Sequence, residues 1–436
     1  MSQINPQAQE LNEIIQTTCP AIYDLLSEKG RRFFFPKLGI VKQSGDAKGK
    51  KINATIGIAL EEDGTPVRLK QIAEKIRLDP EEVFPYAPST GKLDLRKTWQ
   101  AQIWKKNPSL QNTISMPVVT NALTHGLSVT GMMLVNPGDK IILPDKFWGN
   151  YRLIFEEVYG GELTPFNTFS NKEFDISALD EALQANPGKQ IVLLNFPNNP
   201  TGYSPTFEEA EAILETIRKS ADAGNHIAVV LDDAYFGLVY ESGIYQESLF
   251  GKLADSHENV LVIKCDGATK EDYVWGLRVG FVTFSMKGIT PEVCLALEEK
   301  AGGIVRGTIS NDSHLSQSLI LHAFNSPGYA EEKKQKAALL KTRYETVKQL
   351  LKHNQEKYDP CFSALPFNSG YFMCLELKKG LEGEPIRQIL LNEYSTGIIA
   401  FGNLIRIAFS SVPTEQLSEL FDNIHQACIK PTSKIS

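Results

Sequence analysis

The sequence predicts an α/β fold, a mainly parallel sheet covered by helices on both faces. Between about residue 66 and residue 326, short apolar runs alternate with amphipathic stretches of helical period, as in repeated βαβ units. The runs are apolar throughout, as strands buried on both faces are. Several then break into polar residues, as strands do when their carboxyl ends line a ligand crevice.

Taken in order, residues 8 to about 29 predict a helix, followed by a Gly/Lys-rich loop and a strand segment over 52–58. Strands are expected at 117–119, 140–143, 190–194, 226–231, 260–263 and 279–284. After Pro327 a long helix is expected from 330 to about 353. It leads into strand-like runs at 370–376 and 404–409 that belong to a smaller unit.

A chain of 436 residues can bury a large core and hold more than one domain. Its formal net charge of −7 speaks against a general nucleic-acid surface. The run Glu331-Glu-Lys-Lys-Gln-Lys336 is a mixed, solvated helix face. The six cysteines show no Cys-x-x-Cys spacing, and buried free thiols in a reducing compartment are expected. The seven histidines show no zinc-ligand spacing. Met1-Ser-Gln-Ile-Asn-Pro lacks a basic region and an apolar core, and no apolar stretch approaches the ~20 residues of a membrane span. A cytoplasmic protein is expected, with no nucleic-acid or membrane partner.

The chemistry concentrates at strand ends. Lys270 follows the apolar run Val260-Leu-Val-Ile263 and a tight Asp266-Gly267 turn. Partial desolvation there lowers a lysine's pKa and makes its amine a nucleophile. Arg278, eight residues on, offers a forked donor set suited to a phosphate. Together they are what a covalently held pyridoxal phosphate requires. Upstream, Asn195-Phe-Pro-Asn-Asn-Pro-Thr-Gly202 stops one strand and holds Asn199 at its tip. The strand Ile227-Ala-Val-Val-Leu-Asp-Asp-Ala-Tyr235 breaks into two carboxylates.

Asn-Pro-x-Gly, Asp-x-Ala-Tyr and Lys followed eight residues later by Arg stand here in the order and spacing of the fold-type-I pyridoxal-phosphate aminotransferases. The sequence resembles the aspartate and aromatic branch most. Ile52-Asn-Ala-Thr-Ile-Gly-Ile58 and Phe84-Pro-Tyr-Ala-Pro-Ser-Thr-Gly91 look like that family's opening strand segment and substrate-access loop. The resemblance implies a seven-stranded large domain over 66–328. It implies a smaller α+β domain built from 1–65 and 329–436, and a homodimer with shared active sites.

The roles below are what that resemblance implies. Lys270 binds pyridoxal 5'-phosphate and moves protons. Asp232 holds the pyridinium proton, and Asp233 in the variable second place is structural. Tyr235 and Asn199 donate to the cofactor's phenolic oxygen, with core packing the alternative for Tyr235. Trp148 in Trp148-Gly-Asn150 stacks on the ring, with Phe147 its competitor. The family's glycine-rich phosphate cradle is replaced by Ala122, Leu123 and Thr124, and Gly267 stands where a serine often reaches the phosphate. Arg278 and Tyr86 then carry more of that binding.

For substrate, Arg406 matches the α-carboxylate arginine, with a structural salt bridge as the alternative. Gly57 matches a loop-closing glycine, and Phe372 a pocket wall or core aromatic. Arg306, in Arg-x-x-x-Ser-Asn, matches the neighbouring subunit's reader of a second carboxylate. His125 has no place in the family pattern and reads as a helix-face histidine. The implied reaction is transfer of an amino group from an L-amino acid, aspartate or aromatic, to a 2-oxo acid such as 2-oxoglutarate by a ping-pong route. The alternatives are a β-elimination lyase on the same scaffold, or a pyridoxal-dependent transcription regulator lacking its DNA-binding module.

Overall fold

A computed structural model describes residues 4–18, 20–32, 39–74 and 78–430. Helical residues Pro6–Thr18, Pro20–Leu25 and Glu28–Arg32 stand where the sequence predicts a helix, with a break at Leu26–Ser27. Within the expected Gly/Lys-rich loop lies a further helix, α1 (Ile40–Asp46). Of the strand predicted over 52–58 only Ile52–Asn53 pairs, in parallel with Thr396–Gly397 near the C-terminus.

The large sheet has seven strands among the described residues. They are β1 (Val118–Asn121), β2 (Lys140–Pro144), β3 (Glu162–Phe166), β4 (Lys189–Asn195), β5 (His226–Asp232), β6 (Val260–Gly267) and β7 (Val279–Ser285). Their spatial order is β1-β7-β6-β5-β4-β2-β3. Every pairing is parallel except those of β7, which runs antiparallel to both β1 and β6. The strand β3 escapes the sequence reading because Pro165 interrupts it and its burial is patchy. A proline is tolerated there because β3 is a sheet edge.

The period of two explains the apolar runs. Val192, Leu194, Val229 and Leu231 pack into one core while Ile191, Leu193, Ala228 and Val230 pack into the other. Helices cover both. The helix α2 (Ala122–Leu134) leaves β1 directly and packs on β6 and β7. The helix α3 (Phe207–Asp222) starts on a capping box, in which Thr206 and Glu209 satisfy each other's backbone N–H. Its Ala210, Ile213, Ile217 and Ala221 follow helical spacing and are buried.

A smaller unit is built on strands from the C-terminal part of the chain, with α1 packed against it. Its antiparallel sheet orders β8 (Phe362–Ala364), β9 (Phe372–Leu377), β11 (Leu404–Ala408) and β10 (Ile399–Phe401). Gln43 of α1 clamps onto β10 in both directions, donating to the Ala400 carbonyl at 2.7 Å and accepting from the Ala400 N–H at 2.5 Å. Cys265, Cys294, Cys361, Cys374 and Cys428 are buried free thiols, while Cys19 lies outside the described residues. No described helix is long and apolar enough to cross a membrane.

Candidate active site

Because β4, β5 and β6 are parallel neighbours, their carboxyl ends lie side by side. That places Asn195, Asn199, Asp232, Ala234, Tyr235 and Lys270 around one opening, where α/β folds bind ligands. The opening is a cavity of about 540 Å³, a size suited to a small-molecule site. Its wall includes Lys270, Asp232, Tyr235, Asn199, Trp148, Arg278, Ala122, Leu123 and Thr124. It also includes Arg406, Gly57 and Phe372, so twelve side chains or backbones expected from the sequence meet in one place.

Lys270 sits on α4 (Ala268–Glu271), one turn beyond β6. The sequence reading put a turn at Asp266-Gly267, but both residues stay in the strand, paired in register with Phe281 and Gly280. Gly267 is required there. A Cβ would stand 2.7 Å from the Val279 carbonyl oxygen and 2.8 Å from Gly280 Cα, so no serine fits without moving the backbone. Burial pushes the Lys270 ammonium below its ordinary pKa, and the Arg278 cation pushes the same way against the pull of Asp232. Lys270 Nζ lies 5.2 Å from the centre of the Tyr235 ring.

Asp232 ends β5 and is buried. Burial raises its pKa. A 2.6 Å hydrogen bond from the Tyr151 hydroxyl, the Lys270 charge and a 3.1 Å bond from the Ala234 N–H all act the other way. Tyr151 was missed at the sequence level. It stands three residues after Trp148, is buried, and meets Trp148 edge-on at 5.6 Å. The one signal for it was its place in the Trp-Gly-Asn-Tyr segment. Asp233 faces the other way, ion-paired with Lys264 and accepting from Ser248 at 2.6 Å. Phe147 lies off the cavity against Arg152, so of the two neighbours Trp148 is the one that lines the site.

The amino end of α2 lines the cavity with Ala122, Leu123 and Thr124, and the first N–H groups of a helix have no partner within it, an arrangement that favours anions. Ala122 adopts φ 58°, a left-handed conformation that favours glycine. His125 is pinned away from that role. It accepts from the Asn121 N–H at 3.1 Å and bonds Thr308 at 3.0 Å. On the opposite wall the Arg406 guanidinium donates to Asn199 Oδ1 and to the Thr55 carbonyl, each at 3.2 Å, and lies 4.4 Å over the Phe372 ring. It is buried without a carboxylate partner among the described residues, so the salt-bridge alternative does not describe it. Arg406 Nε and Thr269 Oγ1 are buried on this wall with no hydrogen-bond partner.

Tyr86 and Arg306 lie outside the cavity of their own chain. Tyr86 is 90% exposed, and Arg306 bonds Ser310 at 3.1 Å. Their segments form one surface, since Ser89 donates to the Ser310 carbonyl at 2.8 Å and His314 meets the Pro85 carbonyl at 2.8 Å. Residues not anticipated on the wall include Ile40, Ser44, Lys48, Asn53, Thr55 and Asn195. Asn195 orders the site by donating to the Asp232 carbonyl at 2.6 Å and accepting from the Asn199 N–H at 2.7 Å.

The sequence profile of the family described as aminotransferase class I and II matches residues 49–424. A probable N-acetyl-LL-diaminopimelate aminotransferase of Bacillus subtilis is 27% identical over 52% of this chain and 54% of its own length. The chain thus spans about half of that relative. A mitochondrial aspartate aminotransferase of Schizosaccharomyces pombe is 24% identical over 72% of this chain and 71% of its own. In fold, the chain superposes on an aminotransferase from Anaerococcus prevotii with a TM-score of 0.82 at 23% identity, covering 93% of this chain and all of that one.

Proposed function

The chain belongs to the class I and II aminotransferases, a family of pyridoxal-phosphate enzymes, and on that premise we propose that it moves the amino group of an L-amino acid to a 2-oxo acid with Lys270 as its catalytic residue. The observation that carries this reading is the convergence of Lys270, Asp232, Tyr235, Asn199, Arg278 and Arg406 on one cavity. The donor set fits pyridoxal phosphate. There is a carboxylate for the ring nitrogen, two donors for the phenolic oxygen, a helix amino end and an arginine for the phosphate, and buried polar atoms without partners.

When bound, the cofactor supplies a sink for the electron pair left as a bond to the substrate's α-carbon breaks. The rest falls to this chain's residues. Lys270, whose ammonium form is disfavoured by burial, would hold the cofactor through its amine, and its Nζ would take the proton from the substrate's α-carbon. Asp232 keeps the ring nitrogen protonated, with its own orientation set by Tyr151 and Ala234. Tyr235 and Asn199 donate to the phenolic oxygen, and Trp148 stacks on the ring. Ala122, Leu123, Thr124 and Arg278 take the phosphate.

Arg406 takes the α-carboxylate in a forked pair, while Gly57 and Phe372 close the substrate side. Space remains for a Cβ at Gly57, whose nearest neighbour would be the Phe372 ring at 3.9 Å. In a homodimer, the joined surface of Tyr86 and Arg306 reaches the partner's cavity, which accounts for an aromatic as exposed as Tyr86. The route is ping-pong, with aspartate or an aromatic amino acid as donor and 2-oxoglutarate as acceptor. A panel of amino donors against 2-oxoglutarate tests it, following both keto-acid products. Formation of a 2-oxo acid that keeps the donor's side chain is the expected result. Loss of the side chain would replace this reading with a β-elimination lyase.

A further inference from the structure

Among the described residues, four cations line the cavity, Lys48, Lys270, Arg278 and Arg406, against one acid, Asp232. On the aminotransferase reading three of the cations have work. Lys270 would hold the cofactor, Arg278 would face its phosphate, and Arg406 would face the α-carboxylate. Lys48 is left over. It is exposed at the cavity, and among the described residues it meets no carboxylate. The two lysines that follow it are engaged elsewhere. Lys50 Nζ donates to the Leu391 carbonyl at 2.9 Å, and Lys51 pairs with Glu419 at 2.6 Å.

The turn that carries Lys48 is fixed to the α-carboxylate reader by a short relay of hydrogen bonds. Arg406 donates to the Thr55 carbonyl at 3.2 Å, and the Thr55 N–H and hydroxyl donate to Asn53 Oδ1 at 3.1 and 2.7 Å. Asn53 Nδ2 then donates to the Ala47 carbonyl at 3.2 Å. Ala47 is buried against Gly397, where a Cβ would come within 2.3 Å of the Ala47 Cβ, and Gln43 anchors the helix to β10. Next to Lys48 the wall continues with Ser44, a further donor, and Ile40, an apolar surface.

We infer that Lys48, helped by Ser44, is a specificity-determining residue that reads an anionic group at the end of the substrate's side chain, from within the same chain that holds Arg406. The preferred donors are then amino acids whose side chains end in a carboxylate. The contact is one of ground-state binding, so it is read chiefly in KM.

The test compares the holoenzyme with its Lys48→Gln and Lys48→Arg variants on aspartate, glutamate, alanine and phenylalanine. Calorimetry of the unreactive ligands succinate and propionate runs alongside. For Lys48→Gln, kcat/KM on the two acidic donors should fall roughly 10-fold, and succinate binding should weaken to a similar degree. Alanine, phenylalanine and propionate should change less than about two-fold, and Lys48→Arg should keep the acidic preference. Equal losses on all donors, no loss on the acidic ones, or an unmodified enzyme that prefers neutral donors would each overturn the inference while leaving transamination intact. Failure of the aminotransferase reading looks different. No donor, acidic or neutral, would then yield a 2-oxo acid, and the inference would fall with it.

Discussion

Replacing Tyr151 with phenylalanine removes one oxygen and leaves a ring of the same shape in its packing against Trp148 and Phe155. What is lost is the 2.6 Å hydrogen bond to Asp232 Oδ2. A bond to a charged group is worth about 1.5–3 kcal/mol, and 1.4 kcal/mol is a factor of ten, so the corresponding loss in kcat/KM is roughly 10- to 100-fold. The pH profile has a definite sign. Burial already raises the Asp232 pKa, and the Tyr151 bond opposes that rise. Deleting the bond lifts the pKa further. The cofactor's ring nitrogen needs the ionised carboxylate, so activity on the acid side is lost at a higher pH than in the parent. The assay is steady-state keto-acid formation across pH, with cofactor occupancy measured separately. An unchanged rate and an unmoved acid limb in Tyr151→Phe would refute a role for Tyr151 in orienting and charging Asp232.

Arg406→Lys should lose about 2–4 kcal/mol of binding for every amino donor alike, because a lysine cannot make the forked pair. A loss confined to some donors in a KM comparison would argue against the α-carboxylate role. Asp233→Ala removes the nearer of the two carboxylates paired with the buried Lys264 ammonium, leaving Asp266 at 3.4 Å, and should cost up to about 3 kcal/mol of stability, seen as an earlier urea midpoint. Asp233→Leu with Lys264→Met should recover much of that loss, which a direct role of Asp233 at the cofactor would not allow. Phe84→Glu on the exposed access loop should shift sedimentation from dimer to monomer. A dimer that persists would place the subunit contact elsewhere.

What could be read from the sequence divides along physical lines. Groups at the ends of β4, β5 and β6 were legible because an apolar run that breaks into Asn, Asp or a Lys-bearing turn marks a parallel strand's carboxyl end locally. The Gly267 departure was legible as a departure, but its cause is the close approach of β7, which pairs across the sheet. Tyr151 was missed because its meaning depends on a carboxylate 81 positions away. Lys48 and Ser44 were missed for the same reason. Their segment has the composition of a loop, and only the clamp of Gln43 on Ala400, 357 positions on, brings them to the cavity. The strand predicted over 52–58 was misjudged because its apolar residues pack beneath the substrate side. There the backbone serves Arg406 through Thr55 instead of a neighbouring strand.

The central claim is that Lys270 holds the cofactor and moves the proton. Borohydride reduction of the holoenzyme followed by peptide mapping tests it most directly. The account predicts a single modified lysine, Lys270, and a Lys270→Ala protein that still binds pyridoxal phosphate, reversibly, yet transfers almost no amino groups. Reduction that labels a different lysine, or a Lys270→Ala protein with near-parental turnover, would contradict it.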